Sequence, residues 1–433
     1  TNLVEFWDGG EWRDLQSEDI PPINSENFNT VLYTGNGSTQ SITGVGFQPD
    51  FVWIKERSQA ENHNLTDSTR GTNKILNSNN TNAEITSTSR ITSFDTDGFT
   101  LGNNNETNDN NVTYVAWCWK ANGGTTSSNT DGTITSTVQA NTKAGFSILK
   151  WTANGSAATI GHGLSSAPEL IIMKNISSGT SSDHWVVGNS ESGWTKAMHL
   201  DLTNADNASN LYWNDTAPTS TVFTAGAGAG VYQRSGDDFI AYCFHSVAEY
   251  SKIDSYTGNG STNGPIVNTG FEPAFLMIKK SSASGSGWYM YDNVRTPNNP
   301  KNRILLANTS GAENVDISPP YYALDFLSNG FQLKTSLGTD INGNGDTFIY
   351  IAFASDASAA PALPDSFANA LYAGNNTSQS ITGLGFQPNL TWIKSRDNTR
   401  DHNLTDSVRG VTHPIYITTG AQLTNSTFLR SEE

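Results

Sequence analysis

Apolar and polar residues alternate along short stretches of this chain, and clusters of Asn, Gly, Ser and Thr separate the stretches. Alternation with a period of two predicts strands with one buried face, whereas no window shows the period of about 3.6 residues that marks an amphipathic helix. Strand signals recur about every 8 to 12 residues. The pattern therefore predicts an all-β protein built from antiparallel β-sandwiches of about six to nine short strands.

The alternating pattern is itself repeated. The segment from Tyr33 to Gly71 returns from Tyr372 to Gly410 with most positions identical, and more divergent copies begin at Trp151 and Tyr256. Such self-similarity, with a period of about 100 to 120 residues, predicts a tandem array of domain-sized units. A function must therefore be assigned either to the repeated unit or to one copy.

The copies define the predicted organisation. We expect a leader or attachment segment at 1–28, β-sandwich repeats at 29–123, 124–249 and 250–357, and a linker with an incomplete fourth repeat at 358–433. The fourth copy shows no hairpin and no closing strand, so we expect either that the sequence is truncated or that another chain completes this repeat.

Each complete repeat ends with a strand in which bulky and small residues alternate. Because successive side chains point to opposite faces, the bulky residues share one face and the small residues the other. An inner strand buried on both sides is predicted. These closing strands are Tyr114–Trp119, Phe239–Phe244 and Phe348–Phe353.

Turn residues predict further elements. Asp97-Gly98 and Asn329-Gly330 stand between apolar runs in two copies and indicate tight hairpins. The polar stretch 124–145 is expected to add an edge strand or a hairpin to the second repeat.

The two cysteines, Cys118 and Cys243, occupy equivalent positions in two closing strands, and Ala354 is assigned to this position in the third. Equivalent points of tandem domains lie too far apart for a disulfide, so both thiols are predicted to be buried and free.

Charge and hydropathy exclude several function classes. The net charge is −17 and the sequence pI is about 4.7, and no cluster of Lys and Arg is present to neutralise phosphates, so nucleic acid is not an expected partner. The sequence contains no apolar stretch of about 18 residues, so membrane insertion is not expected.

An Asp-x-x-Arg element recurs in three of the four copies. It allows two interpretations: an Arg fork that binds acidic sugars, or an ion pair that pins a loop. Because the element persists in copies that otherwise diverge, we predict structural ion pairs. The residues are Asp67 and Arg70, Asp292 and Arg295, and Asp406 and Arg409.

Other candidates for chemistry are weaker. His63 and His402 occupy one loop position without a second ligand at coordinating spacing, so packing of that loop is favoured over a metal site or a general base. The segment Asp340–Asp346 has oxygen ligands at alternate positions, as a calcium loop would, but position twelve falls on Ile351; calcium binding stays open. No catalytic constellation is recognised, and no cofactor is expected.

Tryptophans that do not repeat strictly between copies could stack on sugars if they are exposed, although core packing is favoured for each. They are Trp185, Trp194, Trp213 and Trp288.

The ordered motifs GFQPDFVWIK, HNLTDSTRG, FDTDGFTLG and YVAWCWKA, followed by GFSILKWTANGSAATIGHGL and DFLSNGFQLK with FIYIAFA, resemble a family of virion or fibre proteins of marine tailed bacteriophages. The resemblance covers about residues 29 to 433. It implies concanavalin-like or jelly-roll sandwich repeats and supplies no catalytic or ligand residues.

We therefore expect a non-enzymatic virion structural protein, a tail- or capsid-attached fibre or appendage of serial β-sandwich modules that presents a host-contact surface. Other virion proteins and further copies of the chain are the expected partners, with a host surface glycan as a candidate ligand. The alternatives are a carbohydrate-binding receptor adhesin and a polysaccharide-degrading enzyme of the tailspike type.

Overall fold

The computed structural model describes residues 5–7, 12–14, 27–227, 233–315 and 321–354 continuously, together with 370, 372–374, 379–381, 388–396, 399, 401–410 and 414–416. Most of the predicted leader and of the Pro- and Ala-rich linker after the third repeat lies outside the described residues. Residues 1–356 form one compact unit and residues 357–433 another.

The elements follow the order of the repeats. The leader contains β1 (Glu5–Trp7) and β2 (Trp12–Asp14). The first repeat contains β3 (Phe28–Thr34), β4 (Gln40–Ile42), β5 (Phe51–Glu56), β6 (Asn64–Asp67), β7 (Lys74–Ile75), β8 (Ile85–Thr86), β9 (Ile91–Asp95), β10 (Gly98–Leu101), α1 (Asn105–Asn108) and β11 (Thr113–Trp119).

The second repeat contains β12 (Ser127–Asn129), β13 (Ser136–Asn141), β14 (Phe146–Thr152), β15 (Ala158–Gly161), β16 (Leu170–Asn175), β17 (Val186–Asn189), β18 (Lys196–His199), β19 (Asn207–Ala208), α2 (Asn210–Trp213), β20 (Val222–Ala225) and β21 (Asp238–Phe244).

The third repeat contains β22 (Ser251–Thr257), β23 (Ile266–Asn268), β24 (Pro273–Lys280), β25 (Trp288–Asp292), β26 (Arg303–Leu306), β27 (Asn314–Val315), β28 (Leu324–Leu327), β29 (Gly330–Leu333), α3 (Thr339–Asn342) and β30 (Thr347–Ala354). The fourth contains β31 (Leu390–Ile393), β32 (Asn403–Asp406) and β33 (Ile415–Tyr416).

Each of the first three repeats is a sandwich of a large and a small antiparallel sheet. The large sheets share one strand order, β3-β11-β5-β6 in the first repeat, β14-β21-β16-β17 within the second and β22-β30-β24-β25 within the third. The small sheets are β4-β10-β9, β15-β20 and β23-β29-β28. The predicted all-β sandwich class is confirmed. The stretch 124–145 adds β12 and β13 to the edge of the second large sheet, as expected.

The closing strands β11, β21 and β30 are the inner strands of these sheets, as predicted. In the first repeat the small side chains Ala116 and Cys118 pack into a core between its own two sheets. The bulky face, with Trp117 and Trp119, packs elsewhere. The period of two thus assigns the two faces of one strand to two different cores.

The bulky faces of all three large sheets meet in one shared core. Its residues come from equivalent positions, as the strand registers show: Phe51, Leu170 and Phe275; Trp53, Ile172 and Met277; Trp119, Phe244 and Phe353. The expectation of serial modules is therefore wrong for the first three repeats, because each large sheet buries its second face against its neighbours. We call this three-repeat body the ring.

The two cysteines are free and buried, as predicted, and burial raises the pKa of both thiols well above the usual value. The residue assigned to the equivalent position of the third repeat, Ala354, needs correction. Cys118 pairs with Val52 and Cys243 with Ile171, and the residue that pairs with the equivalent Leu276 is Ala352. Ala354 lies two residues further along β30, so the correct equivalent is Ala352.

The two predicted hairpins form between β9 and β10 and between β28 and β29. Their glycines are the first residues of the second strand, where Gly98 has φ 146° and Gly330 has φ 152°. A Cβ on Gly98 would lie 1.9 Å from the carbonyl oxygen of Ile42. Glycine is required there because the neighbouring strand approaches the backbone so closely.

The shared core predicts that the three repeats of the ring unfold as one cooperative unit. Phe353→Ala, which removes a ring that is 2% exposed at the centre of this core, should destabilise the whole ring by about 3–5 kcal/mol. Ile266→Ala, at a site that is 68% exposed, is the control and should change little. Urea unfolding followed by near-UV circular dichroism checks this; a transition confined to the third repeat would contradict it.

Candidate functional site at the junctions between repeats

The recurring polar residues meet at the junctions of the ring. Three aromatic side chains at equivalent positions each place a ring nitrogen against a backbone carbonyl of a neighbouring repeat. Nε2 of His63 lies 3.0 Å from the oxygen of Leu306, Nε1 of Trp185 donates to Asn77 at 2.8 Å, and Nε1 of Trp288 donates to His199 at 2.9 Å.

The three acceptors are equivalent as well. In each repeat the acceptor comes directly after the residue that pairs with the middle of β6, β17 or β25, the strand that begins at or directly after the ring-nitrogen position. The contacts run from repeat one to three, from two to one and from three to two. This cyclic set, which we call the ring-nitrogen triad, closes the three repeats with approximate threefold symmetry.

A second triad runs in the opposite direction and is made by the backbone. The amide of Glu84 donates to Ile176 at 3.0 Å, that of Asp206 to Ser281 at 3.0 Å, and that of Glu313 to Arg57 at 2.8 Å. The donors belong to repeats one, two and three and the acceptors to repeats two, three and one. Backbone hydrogen bonding thus continues across every junction of the ring.

The predicted Asp–Arg pairs of the ring lie at two of its junctions. Nε of Arg70 contacts Asp67 at 2.6 Å and Nε of Arg295 contacts Asp292 at 2.5 Å, and all four side chains are at most 1% exposed. The hydroxyl of Tyr242, in the second repeat, donates to Asp67 at 2.8 Å. Each carboxylate therefore holds its own arginine and a neighbouring repeat together.

The same arrangement joins the third repeat to the first. Nε1 of Trp117 donates to Asp292 at 3.1 Å, and the guanidinium carbon of Arg295 lies 5.5 Å from the centroid of the Trp117 ring. Glu313 accepts from Arg57 of the first repeat at 3.0 Å through both oxygens. Desolvation of these charges is offset by the many hydrogen bonds, so the pairs specify which surfaces meet.

The third junction has changed on both sides. Asn189 and Ser192 of the second repeat replace the Asp and Arg, and the facing position on β30 is Ile351, which cannot donate a hydrogen bond. Asn189 keeps the backbone bond that both aspartates also accept from the residue three positions on, here from the amide of Ser192 at 2.8 Å. At this position of the ring a carboxylate occurs only where the neighbour supplies a donor, which avoids an unpaired buried charge.

His63 is a packed, neutral residue, and both of its ring nitrogens have hydrogen-bond partners. Its Nδ1 accepts from Nε1 of Trp53 at 2.8 Å, so Nε2 carries the hydrogen that reaches Leu306. Burial, helped by nearby positive charges, lowers the pKa of His63 from 6.5 to about 3. In the fourth repeat, Nδ1 of His402 accepts from Trp392 at the same distance of 2.8 Å.

Sequence reasoning missed three buried lysines at one register position. Lys55, Lys174 and Lys279 are at most 1% exposed. Their ammonium groups donate to the carbonyls of Glu56, Asp183 and Ser286 at 2.7, 2.7 and 2.5 Å. Asp183 and Ser286 lie in the loops after β16 and β24, whereas Glu56 is the last residue of β5 itself. Burial lowers the pKa of each lysine to about 8. The aligned segments FVWIK, LIIMK and FLMIK carried this signal.

The proposed calcium segment is occupied by internal contacts. Asp340 accepts from the hydroxyl of Tyr289 at 3.0 Å, and Asp346 contacts Lys280 at 3.0 Å. Nδ2 of Asn342 donates to the carbonyl of Thr335 at 2.7 Å. Across the described ranges, no group of three His, Cys, Asp or Glu side chains could hold a metal ion.

The tryptophans considered for sugar stacking are mostly inside the ring. Trp185, Trp213 and Trp288 are at most 2% exposed, and Trp194 packs edge-on against Trp213 with centroids 5.3 Å apart. A separate finding concerns membranes: in the part of the chain that the structure describes, no helix has the length and hydropathy to cross one.

The site thus defines a class of protein, an all-β chain whose sandwich repeats are locked into a ring by polar triads. The family model of a domain of unknown function (DUF7483) matches residues 23–357 and 363–430, and the chain belongs to this family. The first match spans the whole ring and the second spans the fourth repeat. No curated protein and no solved structure matches the chain.

The ring-nitrogen triad can be tested with a matched pair of substitutions. Trp288→Phe should destabilise the ring by about 0.5–1.5 kcal/mol beyond the loss of volume, because the carbonyl of His199 loses the Trp288 donor and keeps the longer bond of 3.3 Å from the amide of Leu202. Trp213→Phe removes a ring nitrogen that has no hydrogen-bond partner among the described residues and supplies the volume control. Equal free energies of unfolding for the two variants would contradict the prediction.

The state of His63 predicts a dependence on pH. Below pH 6.5 the unfolded chain takes up a proton that the folded chain refuses until its pKa of about 3 is reached, so stability falls as pH drops. Between pH 8 and pH 5 the loss from this residue should be about 2 kcal/mol. Urea titrations of the wild type and of His63→Gln measure it; the variant should start lower at pH 8 and decline less.

Proposed function

We propose that this chain is a non-enzymatic structural protein of a bacteriophage virion, carried as an appendage on the tail or capsid. The single observation that supports this most is the use of the recurring polar residues. The Asp–Arg pairs and His63 of the ring are buried in contacts between repeats. Their hydrogen bonds and ion pairs hold the three repeats together as one body.

The composition and the sequence resemblance support the same proposal. The resemblance to virion proteins of marine phages covers the ring and the fourth repeat. A net charge of −17 opposes aggregation in the extracellular medium, where dissolved salt screens much of the repulsion within the chain. Other virion proteins are the proposed partners.

A host-contact surface would lie where the copies differ, and the third repeat offers one. Ile266 is 68% exposed and stands at the register position of the polar Ser41 in the first repeat. Tyr321 and Leu337 are each 47% exposed. Exposed apolar residues mark an interaction surface when they form one contiguous patch, and we propose that these three residues do.

The experiment is to purify particles of a phage that encodes this chain. Quantitative mass spectrometry and immunogold labelling should find the protein as a stoichiometric component at one structural position. Particles that lack it entirely would overturn the proposal.

The same protein distinguishes the alternatives. Incubation with host surface polysaccharide should release no reducing ends; release would support a degrading enzyme instead. The purified chain should bind host cells, and Ile266→Lys with Tyr321→Ser should reduce this binding, whereas a change at an exposed position of the first repeat, Ser41→Lys, should not. Specific signals on a glycan array would add a carbohydrate ligand.

A further inference from the structure

The fourth repeat reproduces the internal geometry of the first. Arg409 contacts Asp406 through Nε at 2.7 Å, and the Trp392–His402 hydrogen bond matches that of the first repeat. The turn after β32 has the same 3.0 Å bond, from Gly410 to Asp406, that Gly71 makes with Asp67. Strands β31 and β32 also share the register of β5 and β6.

The face that the first repeat buries in the shared core is exposed in the fourth. Trp392 is 60% exposed and Leu390 is 59% exposed, whereas the equivalent Trp53 and Phe51 are each 3% exposed. Val408 is 94% exposed. Fully burying side chains of this size is worth about 1.5–3 kcal/mol each, which provides a driving force for association.

The position of Val408 is equivalent to that of Thr69, which lies at a junction of the ring. The hydroxyl of Thr69 accepts a hydrogen bond from Gln139 of the second repeat at 2.8 Å. The exposed surface of the fourth repeat therefore includes a junction position as well as core positions.

The fourth repeat also contains both halves of the ring-nitrogen triad. His402 uses Nδ1 to accept from Trp392, so Nε2 carries the hydrogen, as in His63. The acceptor position of the triad, held by Asn77 in the first repeat, corresponds to Tyr416, which pairs with Asn403 in β33. A surface with a donor on one side and an acceptor on the other can bind copies of itself.

We propose that three copies of this chain associate through the surfaces of β31, β32 and β33 in their fourth repeats, which make between chains the contacts that the equivalent strands of the first repeat make in the ring. His402 of each copy donates to the carbonyl of Tyr416 in the next, and the Leu390 and Trp392 side chains converge in a common apolar core. Three is the number expected because the same contacts close after three repeats within the chain, and closed cyclic symmetry uses every interface.

The oligomeric state of the 433-residue chain tests this. Light scattering coupled to size-exclusion chromatography should give a mass of three chains of 46.6 kDa at high concentration and of one chain on dilution. Trp392→Ser should keep the chain monomeric over the same range. Ile266→Ser, which changes an exposed apolar residue of the ring, is the matched control and should remain trimeric.

A second measurement distinguishes loss of the contact between chains from unfolding of the fourth repeat by Trp392→Ser. Val408→Cys adds a thiol at an exposed position, and the two native cysteines are buried. Modification of the introduced thiol by a maleimide should be slow at concentrations that favour the trimer and fast on dilution. A chain that is monomeric or dimeric at all concentrations, a trimer that Trp392→Ser leaves intact, or a modification rate that does not depend on concentration would each overturn the proposal.

Discussion

The ring depends on one constraint: each large sheet has two apolar faces and only one small sheet to cover them. In every repeat the small sheet covers one face of the closing strand. The other face carries Trp119, Phe244 or Phe353, and these pack together across the three repeats. A sandwich that exposed such a face to water would lose the free energy of burying these rings, so the three repeats become one folding unit.

The polar triads decide how the three faces meet. Apolar packing is not directional, and a core of rings and aliphatic chains alone would tolerate several arrangements. Hydrogen bonds between ring nitrogens and carbonyls, and between backbones, require one relative position at each junction. The buried Asp–Arg pairs add asymmetry because each needs a donor such as Tyr242 or Trp117 from the correct neighbour. The Asp, Arg and His residues that the sequence offers as candidates for binding or catalysis thus hold the repeats of the ring together.

The sequence by itself determined the all-β class, the number of copies, the inner closing strands and the free thiols. These follow from local rules: a period of two, turn residues such as Gly98 and Gly330, and comparison between copies. The closed ring could not be derived in this way, because the bulky face of a closing strand looks the same whether it packs within its own repeat or against another.

The tertiary structure alone decided which surfaces meet. It showed that Trp117 faces Asp292 and that Tyr242 faces Asp67, since these contacts join residues more than a hundred positions apart. It also corrected Ala354 to Ala352, because an alignment of short apolar strands can slip by two residues without changing the faces, and only the hydrogen-bonded register removes that ambiguity.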